Sequence, residues 1–219
     1  MCVSETTSLV SFILGIVITI FMMLIIKTSI STAIGIIWIW VLGMQLAEYF
    51  IWQSISENNS KKNKIATNAA LVLNLMQPIV AYICLMLYNF FCSKKNETNI
   101  FGTKIVIASI VVVIYTCVVI IGLNNTSNST LTKPQENCHG LNLAWWNKTK
   151  TGAVYFICLI LIIMLLARPF SIAILTSFFI TIALLISIFF YSCNQPSMWC
   201  FLVVAYPVVL TFFLKFFKI

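Results

Sequence analysis

Long apolar runs alternate with short polar ones from one end of the chain to the other. About 20 apolar helical residues cross the hydrocarbon core of a bilayer. Seven stretches approach that length: about 8–27, 31–53, 66–92, 104–123, 152–168, 170–192 and 198–217. The fifth is the shortest and can start at the interface with Trp145 and Trp146, and Arg168-Pro169 reads as a tight turn before the sixth. The linkers are polar and short, such as SENNSKKNK and CSKKNETN, apart from one long loop over 124–151. No soluble domain fits between them. The pattern predicts an all-α integral membrane bundle of seven transmembrane helices, with 1–219 forming a single membrane-embedded domain.

Orientation follows from the ends of the first run. The leading MCVSETTS carries Glu5 and no lysine, whereas a cleaved signal peptide has a basic start. The first basic residue, Lys27, follows the apolar run, which places the N-terminus outside and Lys27 inside. The remaining loops divide their basic residues narrowly. Lys27, Lys94, Lys95, Lys104, Arg168, Lys215 and Lys218 fall inside, and Lys61, Lys62, Lys64, Lys133, Lys148 and Lys150 outside. Glycosylation sequons lean the same way, with Asn58, Asn124, Asn125, Asn128 and Asn147 outside and Asn96 inside.

Composition sharpens the picture. Hydrophobic residues make up 61% of the chain and charged residues 8%, too little polar surface for a water-soluble protein of this size. Aspartate is absent, and arginine and histidine each occur once, as Arg168 and His139. These absences exclude a Ser-His-Asp triad and HExxH zinc chemistry. No glycine-rich phosphate loop is present either, and no cofactor is expected. The net charge of +8 comes from lysines at helix ends and in loops. They suit anionic lipid head groups, so the expected partner is the bilayer and not nucleic acid.

Inside the apolar runs a few polar residues ask for an explanation. Glu48 is the one acidic residue within a predicted span, and a charged carboxylate at a span centre costs about 2.5–3.5 kcal/mol on insertion scales. Trp38, Val41, Gln45, Glu48 and Trp52 share one helix face by their spacing. Asn74 and Gln77 lie three apart in the third run, just before Pro78, and are expected at a depth comparable to Gln45 and Glu48. A proline there removes a backbone donor and can kink the helix or line a cavity. Together Gln45, Glu48, Asn74 and Gln77 suggest a polar vestibule open to the outer side. Amides that bond between helices are the plainer account.

The outer loops add His139, Trp145, Trp146 and Trp199, and four cysteines, Cys2, Cys138, Cys193 and Cys200. In an oxidising lumen those cysteines are disulfide candidates, with pairing left open by the sequence. A metal site from Cys2, Cys138, His139 and Cys200 matches no standard zinc spacing, so no metal is expected. Cys84, Cys92, Cys117 and Cys158 lie within spans and read as packing residues. His139 can handle protons near neutral pH. The tryptophans form an interfacial belt or wall the mouth of the vestibule.

Five short stretches, MCVSETTS, MQLAEYFIWQ, LMQPI, CHGLNLAW and PSMWC, together resemble an uncharacterised polytopic membrane-protein family of giant DNA viruses and some bacteria. The resemblance runs from residue 2 to about 200. It implies a site drawn from Cys2, Gln45, Glu48, Gln77, Pro78, His139, Trp146, Trp199 and Cys200, and a virion or host-membrane location, with no activity attached. Other seven-helix families fit poorly. Lys215 is too near the end of its helix for a retinal lysine, one histidine cannot make a ceramidase-like zinc site, and the two halves show no repeat.

Three functions remain. The first is binding or conduction of a small solute, proton or cation through the vestibule, with Gln45, Glu48, Asn74, Gln77, His139, Trp146 and Trp199 as its residues. The second is a structural or binding component of a membrane, without transport. The third is an intramembrane enzyme using Glu48 and His139 as acid and base, and it ranks last because no nucleophile is evident.

Overall fold

The computed structural model describes residues 4–92, 98–124, 131–135, 138–142, 151–190 and 203–216. Ser4 opens the first helix, α1 (Glu5–Ile26), its hydroxyl accepting the Thr7 N–H at 3.2 Å. Lys27 closes it in the left-handed region, φ 53°, with its N–H on the Met23 carbonyl. Two residues later a reciprocal Thr28–Ser31 capping box starts α2 (Ser29–Ser56). The two helices pack side by side. A Cβ at Gly15 of α1 would overlap the Leu42 side chain, and one at Gly35 of α2 would overlap Met23. Small residues at Ser11, Gly15 and Thr19 let the backbones approach where lipid supplies no hydrophobic drive.

A turn through Asn58, again left-handed at φ 51°, leads to α3 (Ser60–Leu75). The Asn59 side chain caps it, accepting the Lys62 N–H at 3.0 Å. α3 ends at Met76, and α4 (Gln77–Cys92) continues from it with a bend of 46°. Pro78, in the first turn of α4, has no N–H to give the carbonyl of Asn74. Neighbouring helices serve the carbonyls around the break: the Trp40 indole donates to Leu73 at 2.9 Å and the Tyr115 hydroxyl to Leu75 at 2.7 Å. The 66–92 run is therefore two helices, and the first of them starts six residues before the apolar run does.

α5 (Thr98–Asn124) follows, and then a short antiparallel hairpin, β1 (Lys133–Gln135) and β2 (Cys138–Asn142). This hairpin lies within what the sequence reads as a plain loop. It is anchored to the bundle, with Leu141 buried and Thr132 held by α3. α6 (Thr151–Leu166), a turn containing a cis Arg168-Pro169 bond, and α7 (Phe170–Phe190) come next. A single 3-10 turn at Val203–Ala205 then leads into α8 (Tyr206–Phe216).

α2 forms the axis of the N-terminal half, packed on α1, α3 and α4, while α6 packs on α4, α5 and α7, and α8 closes against α1. Loop contacts order the ends. Asn63, near the start of α3, bonds Thr132, before the hairpin. At the opposite end of the bent pair, Asn89 donates to the Leu166 carbonyl at 2.6 Å and Tyr88 to that of Arg168 at 3.4 Å.

Much of the surface is apolar, and the mainly apolar interior holds several polar side chains. Phe21, Phe90, Phe178 and Phe189 are 61–76% exposed, while Gln45, Glu48 and Asn74 are 0% exposed. Exposed apolar surface on this scale belongs against lipid. Among the described residues four helices are long and apolar enough to cross a membrane, or five if the bent α3–α4 pair is one span. α6 and α8, at 16 and 11 residues, reach about 24 and 16 Å at the 1.5 Å rise of a helix. Cys158 is buried as expected and Cys84 half-buried, but Cys92 and Cys117 are exposed on the lipid-facing surface and not packed inside.

Candidate functional site

The four intramembrane candidates occupy buried faces of adjoining helices. Gln45 and Glu48 lie on α2 one turn apart, on the face whose Trp38 stacks on Tyr206 at 4.2 Å. Tyr206 is itself wholly buried and hydrogen-bonded to the Thr176 hydroxyl. Beneath Gln45 and Glu48, this face therefore ends on a stack of Trp38, Tyr206 and Phe179. Glu48 has no exposed surface, so it does not reach bulk water from a shallow position.

Asn74 and Gln77 flank the break at Met76. Gln77 Oε1 accepts the Tyr155 hydroxyl of α6, which joins the break to the second axis of the bundle. Its Nε2 has no hydrogen-bond partner among the described residues, and neither polar atom of Asn74 has one. Both side chains are at least 99% buried. Buried amides are nearly always satisfied, by protein or by ordered water, so an unengaged pair beside a helix break is the least ordinary polar feature of this face.

Depth along the bundle corrects one expectation. α2 and α3 run antiparallel, with Trp40 bonded to Leu73, Gly43 against Leu73, and Gln53 bonded to Lys62. That register sets Asn74 level with about Val41, seven residues and ~10 Å below Glu48. The sequence places them at similar depth because its apolar run starts at residue 66, whereas the helix starts at Ser60. Glu48, Gln45, Asn74 and Gln77 are thus staggered down the bundle, and no single level holds all four.

The upper part of this column has members that the sequence reading passed over. Asn63 donates to the Thr132 carbonyl and accepts the Thr132 N–H, both at 3.0 Å, and Thr67 shares a 2.8 Å bond with the Thr132 hydroxyl. Asn63, Thr67, Ala70 and Asn74 lie four, three and four apart, which puts them on one helix face. That periodicity was available in the sequence. Tyr155 and Tyr206 gave no such signal, since a tyrosine in an apolar run reads equally well as belt or core.

His139 and Cys138 lie in β2, beside the segment that Asn63 ties to α3; their side chains are outside the described residues. Trp146, Trp199, Cys2, Cys193 and Cys200 also lie outside them. Among the described residues no three His, Cys, Asp or Glu side chains gather in a metal-binding group. Compared with known protein families, characterised proteins and solved structures, the chain matches none.

Proposed function

We propose that this is a seven-span membrane protein, N-terminus outside, that binds and passes a small polar solute, proton or cation along the staggered column of Glu48, Gln45, Asn74 and Gln77. The observation that carries the reading is Asn74, fully buried beside a helix break with neither its donor nor its acceptor engaged among the described residues. Broken helices inside membranes are tolerated where neighbours or a water-lined cavity serve the freed groups. Polar groups staggered along the bundle, with Glu48 and Asn74 ~10 Å apart, suit stepwise passage better than one chelating site. The seven-span count is supported by the alternation of ends, since Asn63 meets the pre-hairpin segment at one end and Asn89 meets the α6–α7 turn at the other.

The test is proton and cation flux in proteoliposomes at several pH values, comparing wild type with Glu48→Gln. Glu48→Gln removes the acidic side chain of the column, and flux is expected to fall by roughly tenfold or more, a rise of about 1.4 kcal/mol in the barrier. Undiminished flux in a folded variant removes Glu48 from the pathway. No flux from the wild type rejects conduction and favours a structural or binding membrane component. The fully bonded Asn63–Thr132 and Asn89–Leu166 contacts are the observation that would then carry the account.

A further inference from the structure

On the surface where α2 meets the start of α3 lies a trough of about 360 Å³. Its walls are Ala47 and Phe50 of α2 and Ile65 and Ala69 of α3, and Lys61 and Lys62 stand at its upper end. The volume falls within the range of small-ligand sites, about 300–1,000 Å³. The two ends of the trough differ in chemistry. Phe50 and Ile65 are 40% and 63% exposed, an apolar strip of the kind that belongs against lipid. Lys61, Ile65 and Ala69 follow one another at four-residue spacing down one face of α3, so the cation sits directly above the apolar strip.

The two lysines are not equivalent. Lys62 is committed within the protein, donating to Glu57 at 2.9 Å and to Gln53 at 2.7 Å. That contact neutralises the Glu57 carboxylate. Lys61 is exposed and has no such partner among the described residues. It sits in the first turn of a 16-residue helix, where the backbone dipole also favours an anion.

We propose that the trough holds one anionic phospholipid from the adjacent leaflet, its acyl chain along Phe50, Ile65 and Ala69 and its phosphate at Lys61. An anion above and a hydrocarbon chain below is the occupant that complements a cation placed one turn above an apolar strip. The small side chains of Ala47 and Ala69 leave the room, and Phe50 supplies a broad wall. This site is separate from the buried column and stands or falls independently of it.

The experiment is thermal unfolding of the detergent-purified full chain during titration with dioctanoyl phosphatidylglycerol, dioctanoyl phosphatidylcholine or inorganic phosphate. The expected result is a rise in Tm that saturates with phosphatidylglycerol and is much smaller with the other two. Lys61→Ala is expected to weaken the apparent Kd for phosphatidylglycerol about fivefold, the effect of one basic residue at an anionic lipid surface. Ala69→Trp, at an exposed position, fills the trough and should abolish the response while leaving the lipid-free Tm unchanged. Equal responses to both lipids overturn the proposal, as does a response to phosphate alone. A phosphatidylglycerol response that survives both substitutions overturns it as well.

Discussion

Asn74 and Asn89 are the same residue type, both buried in the bent α3–α4 pair, yet they do opposite things. The Asn89 amide donates to Leu85 at 2.7 Å and to Leu166 at 2.6 Å, so it holds α4 to the end of α6. Replacing it by leucine strands the Leu166 carbonyl, at a cost of about 1–3 kcal/mol for an unsatisfied buried group. Asn74 engages no partner among the described residues. Asn74→Leu therefore loses no bond and should be neutral or slightly stabilising, because an apolar isostere removes a desolvated amide. Melting curves and flux on the two variants separate the roles: Asn89→Leu lowers Tm with flux retained, and Asn74→Leu keeps Tm while flux falls. The candidates within apolar runs were legible because a polar residue stands out there. Their partners were not, since Tyr155 reaches Gln77 from 78 positions away and only packing brings them together.

At the scale of elements, hydropathy located the apolar part of each helix and missed the polar turns added to it. α3 begins with Ser60, Lys61, Lys62 and Asn63, a first turn that the apolar run leaves out, yet Asn59 caps it. The kink was legible from Pro78; its position at Met76 and the side-chain bonds that serve it were not. The α1–α2 pair makes the sharpest element-scale prediction. Gly15 leaves no room for a Cβ against Leu42, so Gly15→Leu forces the helices apart. Overpacking of this kind costs about 1–3 kcal/mol. A fall in Tm is expected, partly restored by Leu42→Ala in the same chain, and additive losses would show that the two positions do not meet.

For the whole molecule, composition was enough to predict helices that face lipid, and the large exposed apolar side chains agree. The number of spans was less legible: among the described residues four helices, or five with the bent pair, are long and apolar enough to cross. The proposed topology puts Asn58 outside and Arg168 inside. In intact cells, a membrane-impermeant thiol reagent should label Asn58→Cys, and label Arg168→Cys only after permeabilisation, above the background of the parent chain. The reverse pattern would invert the protein, and labelling of both from one side would break the alternation of its helices.

The stacking of Trp38 on Tyr206 has a consequence for how the protein is made. α2 meets α1, α3 and α4 among its near neighbours in the chain, so these helices can dock in the order in which they leave the ribosome. Trp38 must wait for Tyr206, which lies near the other end of the described chain and is translated after all seven preceding helices. Until then Trp38 lacks the ring it stacks on, so this contact is set only after the N-terminal helices have docked.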